Sequence, residues 1–539
     1  MNSCKITHST DFLQLILFIY LNFHNTMESV LKRLLFVLLV SGCCLSCKKE
    51  QNEAVPVTHF KNLENNALVW NTVNLELVVP NAESVQQVEI LINSKSFAVL
   101  LHAPFQVDWN TLAAPDGDYL LKAIVNDHSG NQNITETNVH VQNALLTFTV
   151  PTDHLSVNEK AWIFLTNRDG QVITIAELKN GADFKLIDNT YTHKSFMLSE
   201  AYLQSGAHLS ITSFEDVPRG QWTVASKLKD TPVLGRLAVD FKDEANVPPY
   251  YISASGDSRT LIDGGNSVEL NITQFPTRLF IREIFTDNNH YKLIDGLSNN
   301  DRYSGHFSEL SIPLNSIESE PLPGAQMAAV RLYGFPDAHQ LNDYYALGAF
   351  ILSGNKVKIE YPGNTFAAYG SESHYRGNNI RITAFHPTKM FDLTPIHAEV
   401  LFRDTGNASV YLASSGMFDA YVVEWGFADK ISSFSWILLG SAGQSDLLKL
   451  SNLPDAIHSA GITNFNVRDL EFNNVVQVAD YEIANDYKSY TQYISRNGYN
   501  SPYLFGKAWK EQTFSQNGAT GGRQKIESDP PTIKDRLQR

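Results

Sequence analysis

The sequence predicts a mainly β protein, with tandem β-sandwich modules and a mixed, mostly β C-terminal region. Three observations carry that expectation. Short runs alternate apolar and polar residues with the period of two that a half-buried strand requires, as in Val73 to Val79 (VNLELVV). Turn chemistry rich in Gly, Pro, Asn and Asp separates such runs at short intervals. Aromatic residues make up 11% of the chain, with 22 Tyr and 30 Phe, and suit pleated, half-buried surfaces. They are read as core filling rather than as exposed sugar-stacking platforms, because buried aromatics are the common case. At 539 residues the chain is too long for one core, and three to four domains are expected.

Composition bounds the function before any motif is sought. A hydrophobic fraction of 43% with 18% charged residues argues against a mainly disordered chain. The net charge of −15, from 57 acidic and 42 basic side chains, repels phosphates, so no nucleic-acid partner is expected. All four cysteines, Cys4, Cys43, Cys44 and Cys47, lie at the N-terminus. Structural disulfides, Cys-ligated zinc, Cys nucleophiles and iron–sulfur clusters are thereby excluded from the body.

From Met27 the chain reads MESVLKRLLFVLLVSGCCLSCKKE. Lys32 and Arg33 form a basic flank, Leu34 to Val40 an apolar run too short to span a bilayer, and small residues then lead into cysteine. Both Val40-Ser41-Gly42-Cys43 and Leu45-Ser46-Cys47 resemble the lipobox of bacterial envelope lipoproteins. That resemblance implies cleavage before a cysteine carrying a diacylglycerol. Cys47 is the expected lipidation site, because the polar run from Lys48 to Glu53 follows it at once; Cys43 is the alternative. Residues 1–47 are thus read as a signal region whose true start is Met27, and residues 48–57 as a polar tether. Acyl chains would hold such a protein at a membrane, since each buried methylene contributes about 0.8 kcal/mol. Cell outer membrane is the expected location, facing the exterior or the periplasm.

The first module is expected at 58–142. Strands are read at Ala67 to Trp70, Val73 to Val79, Val85 to Ile92, Phe97 to Leu101, Phe105 to Trp109, Tyr119 to Val125 and Glu136 to Val141. Asp116-Gly117-Asp118-Tyr119-Leu120-Leu121 resembles the tyrosine corner of immunoglobulin-like domains, one residue shorter in its spacing. The Asp127 to Asn131 turn resembles bacterial Ig-like modules of surface proteins. This resemblance implies a binding or adhesion scaffold and brings no catalytic motif.

A second sandwich is expected at 143–245, where Ala161 to Thr166 and Gln171 to Ile175 flank an Asn167-Arg168-Asp169-Gly170 turn. A further β module is expected at 246–355, and a mostly β C-terminal domain at 356–514. Within the latter, Tyr487, Tyr490 and Tyr493 recur every three residues, as one packing face of a short helix does. The similar hexapeptides Leu209 to Phe214, Leu270 to Phe275 and Ile380 to Phe385 raise the question of a repeated strand. The tail 515–539 is polar and is expected to be unstructured.

No nucleophile elbow, zinc-protease motif, phosphate loop or dinucleotide fingerprint occurs in the sequence. No catalytic, cofactor-binding or metal residues are therefore assigned, and no cofactor is expected. Glu372-Ser373-His374-Tyr375-Arg376 has residue types fit for acid–base work but is read as a solvated loop. Asp287-Asn288-Asn289-His290 with Asp295 lacks the order of a calcium loop and is read as a turn. The expected function is a non-catalytic, lipid-anchored binding or adhesion protein for a glycan, a peptide or another envelope protein. The alternatives are an extracellular polysaccharide hydrolase with its site in 356–514, and a structural spacer.

Overall fold

Strands form here in two ways. Alternating runs give strands with one buried face, such as Thr72–Val78, whereas nearly continuous apolar runs such as Ser195–Gln204 and Tyr250–Ala254 are buried on both faces. A computed structural model describes residues 58–515, apart from 205–207, 225–231, 243–246, 263–264, 286–288, 321–323, 342, 353–355, 378–379, 390–393, 429–432, 444, 461–464 and 500–505. The signal region with Cys43 and Cys47, the tether and the tail from 516 onward lie outside the described residues. The molecule is mainly β and built of sandwiches. Among the described residues no helix is long and apolar enough to cross a membrane.

The described chain divides into two compact units, one of residues up to 67 with 74–109 and 119–139, the other of 68–73, 110–118 and 140 onward. The first unit carries His59–Phe60, Thr72–Val78 and Gln106–Asn110 in one sheet. Its second sheet runs Gln132–Val141, Gly117–Asp127, Val85–Ile92, Lys95–Leu100 in spatial order. Leu75, Val88, Ile90, Leu121 and Ala123 are fully buried between them. Leu121 thus fills the core where antibody domains place cysteine, and Tyr119 packs edge-on against Trp109 at 5.4 Å. The expected turn closes on Asp127, whose Oδ1 accepts from the backbone N–H groups of Ser129 and Asn131, both at 2.8 Å.

The second unit is dominated by one sheet of twelve strands. In chain order these are β1 (Glu159–Thr166), β2 (Val172–Glu177), β3 (Ser195–Gln204), β4 (His208–Pro218), β5 (Met327–Phe335), β6 (Tyr345–Ile351), β7 (Ala368–Arg376), β8 (Ile380–His386), β9 (Ala420–Ala428), β10 (Ser433–Gly440), β11 (Glu471–Tyr481) and β12 (Trp509–Ser515). Their spatial order is β2-β1-β3-β4-β10-β9-β11-β12-β8-β7-β5-β6. β4 and β10 pair in parallel from His208–Ser433 to Phe214–Leu439, and β8 pairs with β12 antiparallel.

Smaller layers cover both faces. On one face Leu146–Thr149, Asp183–Leu186 and Gly220–Gln221 form a three-stranded sheet, whose Leu146, Phe148 and Leu186 share a core with Leu198, Phe214 and Leu439. The helix Tyr487–Asn497 adds Tyr487, Tyr490 and Ile494 to the same core. On the other face Ala398–Gly406, Ser409–Gly416 and Ser445–Lys449 cover Trp162, Trp425 and Trp436. A separate sandwich packs Gly235–Phe241, Ser267–Ile272 and Arg302–Gly305 against a five-stranded sheet that includes Tyr250–Ala254 and Thr277–Glu283.

Pairing crosses the boundaries expected at 245/246 and 355/356. Gly235–Phe241 pairs with Ser267–Ile272, and β5 pairs with β7. Local turn signals mark where strands end but carry no information about which strand each one pairs with. The three similar hexapeptides also part company: two lie within β4 and β8, while Leu270 to Ile272 ends a strand of the separate sandwich.

Candidate functional site

The segment Glu372 to Arg376 is strand β7, and the solvated-loop reading is corrected by its burial. Neighbouring strands cover both edges, because β7 pairs with β5 on one side and β8 on the other. Period two then puts Glu372 and His374 on one face of the sheet, with Arg331 directly opposite Glu372. Glu372 is 0% exposed and His374 5%. The Tyr333 hydroxyl donates to Glu372 Oε2 at 3.0 Å, and Arg331 Nη1 lies 3.9 Å from the same oxygen. His374 Nε2 stands 3.4 Å from Glu372 Oε1, close enough for an ion pair but outside hydrogen-bond geometry. Burial alone would push the Glu372 carboxyl up; His374, Arg331 and Tyr333 outweigh it and hold the group below its usual range.

Further carboxylates in the sheet, Glu200, Glu215 and Glu511 among them, were not singled out by the sequence. Glu200, on β3, accepts from the Trp222 indole N–H at 2.5 Å and from the Tyr202 hydroxyl at 3.1 Å. Tyr202 in turn meets His154 Nε2 at 3.0 Å. Burial raises Glu200, against the pull of those two hydrogen bonds. Glu215, on β4, accepts from the Tyr421 hydroxyl at 2.6 Å, and burial pushes it up to about 7. Gly440 makes room for this pair, since a Cβ there would fall 2.2 Å from Glu215 Oε2. An acidic residue inside a mostly apolar run (SFMLSEAYLQ for Glu200) is the sequence signal that could have flagged such groups.

Tyr487 and Tyr490 are buried and Tyr493 half-buried on one helix face, so the tyrosine stripe is core packing. Asp295 lies in the strand His290–Leu297 and pairs with Arg278 Nε at 2.8 Å, while Asp287 and Asn288 lie outside the described residues. Among the described residues no group of three His, Cys, Asp or Glu side chains is placed to hold a metal ion. The large aromatics Trp162, Trp425, Trp436 and Trp509 are all enclosed, as core filling requires.

One concavity of about 450 Å³ opens on the three-stranded sheet, lined by Thr147, Phe148, Thr149, Asp183, Phe184, Gln221, Trp222 and Thr223. Phe148 and Phe184 are register partners whose rings stack at 4.9 Å and 14°. It was not legible in the sequence, because its residues come from three separate segments.

No protein-family model matches the chain, and no curated protein does. Among solved structures, the fibronectin(III)-like modules of Clostridium thermocellum CbhA are similar over 16% of this chain and 93% of theirs, at 14% identity and a TM-score of 0.13. SGBP-B of a Bacteroides ovatus mixed-linkage glucan utilization locus, solved with a mixed-linkage heptasaccharide, is similar over 60% of this chain and 98% of its own, at 10% identity and a TM-score of 0.15. A tetra-tandem repeat from the extending region of a large adhesion protein is similar over 80% and 95%, at 11% identity and a TM-score of 0.15. At such identities and TM-scores these likenesses say nothing of ligand or activity.

Proposed function

We propose that the chain is a lipid-anchored cell-envelope protein of the outer membrane that binds a glycan, a peptide or another envelope protein without transforming it. Anchoring rests on the lipobox-like sequences ending at Cys47 and, as the alternative, Cys43. One observation carries the non-catalytic part. Glu372, the carboxylate the sequence offered for acid–base work, is fully buried in the sheet and engaged by Tyr333 and Arg331. A general acid or base must reach its substrate directly or through one water, and a carboxylate with no exposed surface does neither. Function then falls to surface features carried on rigid sandwiches.

Labelled palmitate fed to a Gram-negative host expressing the full chain tests the anchor. The label should enter the protein and follow it into the membrane fraction, and Cys47→Ser should abolish both. Retention in Cys47→Ser with loss in Cys43→Ser would move the anchor to Cys43. An unlabelled wild-type chain recovered from the cytosol contradicts the proposal.

A further inference from the structure

We propose that the outer face of the first unit's second sheet lies against the lipid surface that holds the anchor. This rests on the anchoring reading above and adds a second, apolar contact between protein and membrane.

Strand register builds the face. Val99 stands opposite Glu89 and Glu89 opposite Ile124, so the three share one side of the sheet. The Lys122–Glu136 ion pair at 3.0 Å and the hydrogen bond that Gln132 donates to Asn126 Oδ1 at 3.2 Å bracket Ile124 and Ile134, which sets those two side by side on the same face. Val88, Ile90 and Ala123 alternate with them and are fully buried in the sandwich core. On the outer side Val99 is 52% exposed, Leu101 56%, Ile134 47% and Phe97 40%. Apolar exposure gathered on one face marks an interaction surface.

The place where the described chain begins says what covers it. Thr58 Oγ1 donates to Asn133 Oδ1 at 3.4 Å, and Asn133 immediately precedes Ile134. Leu100 pairs with Val88 and Val88 with Val125, so Leu101 falls at the same end of the sheet as Asn126, Gln132 and that starting point. Residues 48–57 separate Thr58 from Cys47. Even fully extended, a chain of that length reaches no more than about 40 Å. An acylated Cys47 therefore keeps the face close to the membrane, where a weak contact suffices because it forms within an already tethered molecule.

Charge narrows the kind of lipid. Lys122 is engaged by Glu136, and Glu89 lies half-buried between Val99 and Ile124, so these rows hold no unpaired cation for an anionic headgroup. Exposed Phe, Val, Leu and Ile side chains fit the boundary between headgroups and acyl chains of a zwitterionic surface.

The test uses the full chain, processed and acylated, inserted in vesicles of phosphatidylethanolamine and phosphatidylcholine with bromine-labelled acyl chains. Cleavage before Cys47 removes Cys4, Cys43 and Cys44, so Val99→Cys carries a fluorophore on its only free thiol. It is compared with Asn74→Cys, an exposed position on the first sheet of the same unit. Bromine should quench the label at position 99 about threefold or more above the label at 74. Leu101→Glu together with Ile134→Glu should abolish that difference at unchanged melting temperature, and adding phosphatidylglycerol should leave it as it was. Equal quenching at both positions, in chains that float with the vesicles, overturns this inference and leaves the anchor intact. Energy transfer between labelled copies in place of lipid quenching gives the face to a second copy and contradicts it. Quenching that requires phosphatidylglycerol and vanishes in salt also contradicts it, because the contact is then electrostatic. Chains that fail to float overturn the anchoring reading and this inference together.

Discussion

Glu215 shows how one side chain couples this fold to pH. Its carboxyl, ordinarily near 4.5, is pushed up to about 7, chiefly by burial, with Asp216 and Asp446 adding to the rise and Tyr421 and Arg168 opposing it. Below pH 4.5 folded and unfolded chains both hold the proton, and the group contributes no pH dependence. Between 4.5 and 7 the unfolded chain releases it while the folded chain keeps it, so stability falls as pH rises and levels off above about 7. The loss is at most about 3 kcal/mol. Asp419, raised to about 6 mainly by burial, adds a loss of the same sign, so the comparison must be made against the wild type. Glu215→Gln keeps an acceptor for Tyr421 and removes the titration. Thermal melts from pH 4 to 8 should show variant and wild type converging below pH 4.5 and the variant gaining steadily up to about pH 7. A constant offset across that range would remove Glu215 as the cause. None of this was legible in the run ITSFEDV, because the burial that drives the shift depends on β9 and β10, which lie more than two hundred positions further along the chain.

At the scale of elements more of the structure is legible in the sequence. The helix Tyr487–Asn497 was foreseen from three tyrosines, and its ends have local causes. Asp486 Oδ1 accepts from the Ser489 N–H at 2.7 Å at the start, and Gly498 leaves at a φ of 87° at the end. Tyr490 is fully buried and stacks on Tyr481 at 4.9 Å. Tyr490→Ala should cost about 3–5 kcal/mol, and Asp486→Ala about 1 kcal/mol. Urea unfolding should reproduce that order; equal small effects would mean the helix does not help hold the core. Strand β7 was misread for an identifiable reason. Gly370, Ser371, Glu372, Ser373 and His374 carry the composition of a loop, and only pairing with both β5 and β8 makes them interior. Alternation was a sound guide where one face meets water, as in Thr72–Val78. It failed where both faces are covered, as in Ser195–Gln204.

For the whole molecule, chain order and spatial order diverge. Strands β9 to β12, all beyond residue 419, lie between β4 and β8 in the sheet. A chain ending at residue 397 therefore loses the middle of the sheet and bares the edges of β4 and β8, and bare edges invite association. Such a chain should be recovered as aggregate, whereas self-contained modules at 143–245 and 246–355 would leave it soluble and monomeric by gel filtration. Glu372 and Glu200 are enclosed more locally, Glu372 between β5 and β8 and Glu200 between β1 and β4. The account's central claim, binding without catalysis, is tested most directly by incubating the full chain with neutral polysaccharides and measuring retention and reducing ends together. It predicts retention with no new reducing ends, for the wild type and for a folded Glu372→Gln variant alike. Release of reducing ends by the wild type, abolished in Glu372→Gln at unchanged melting temperature, would contradict it.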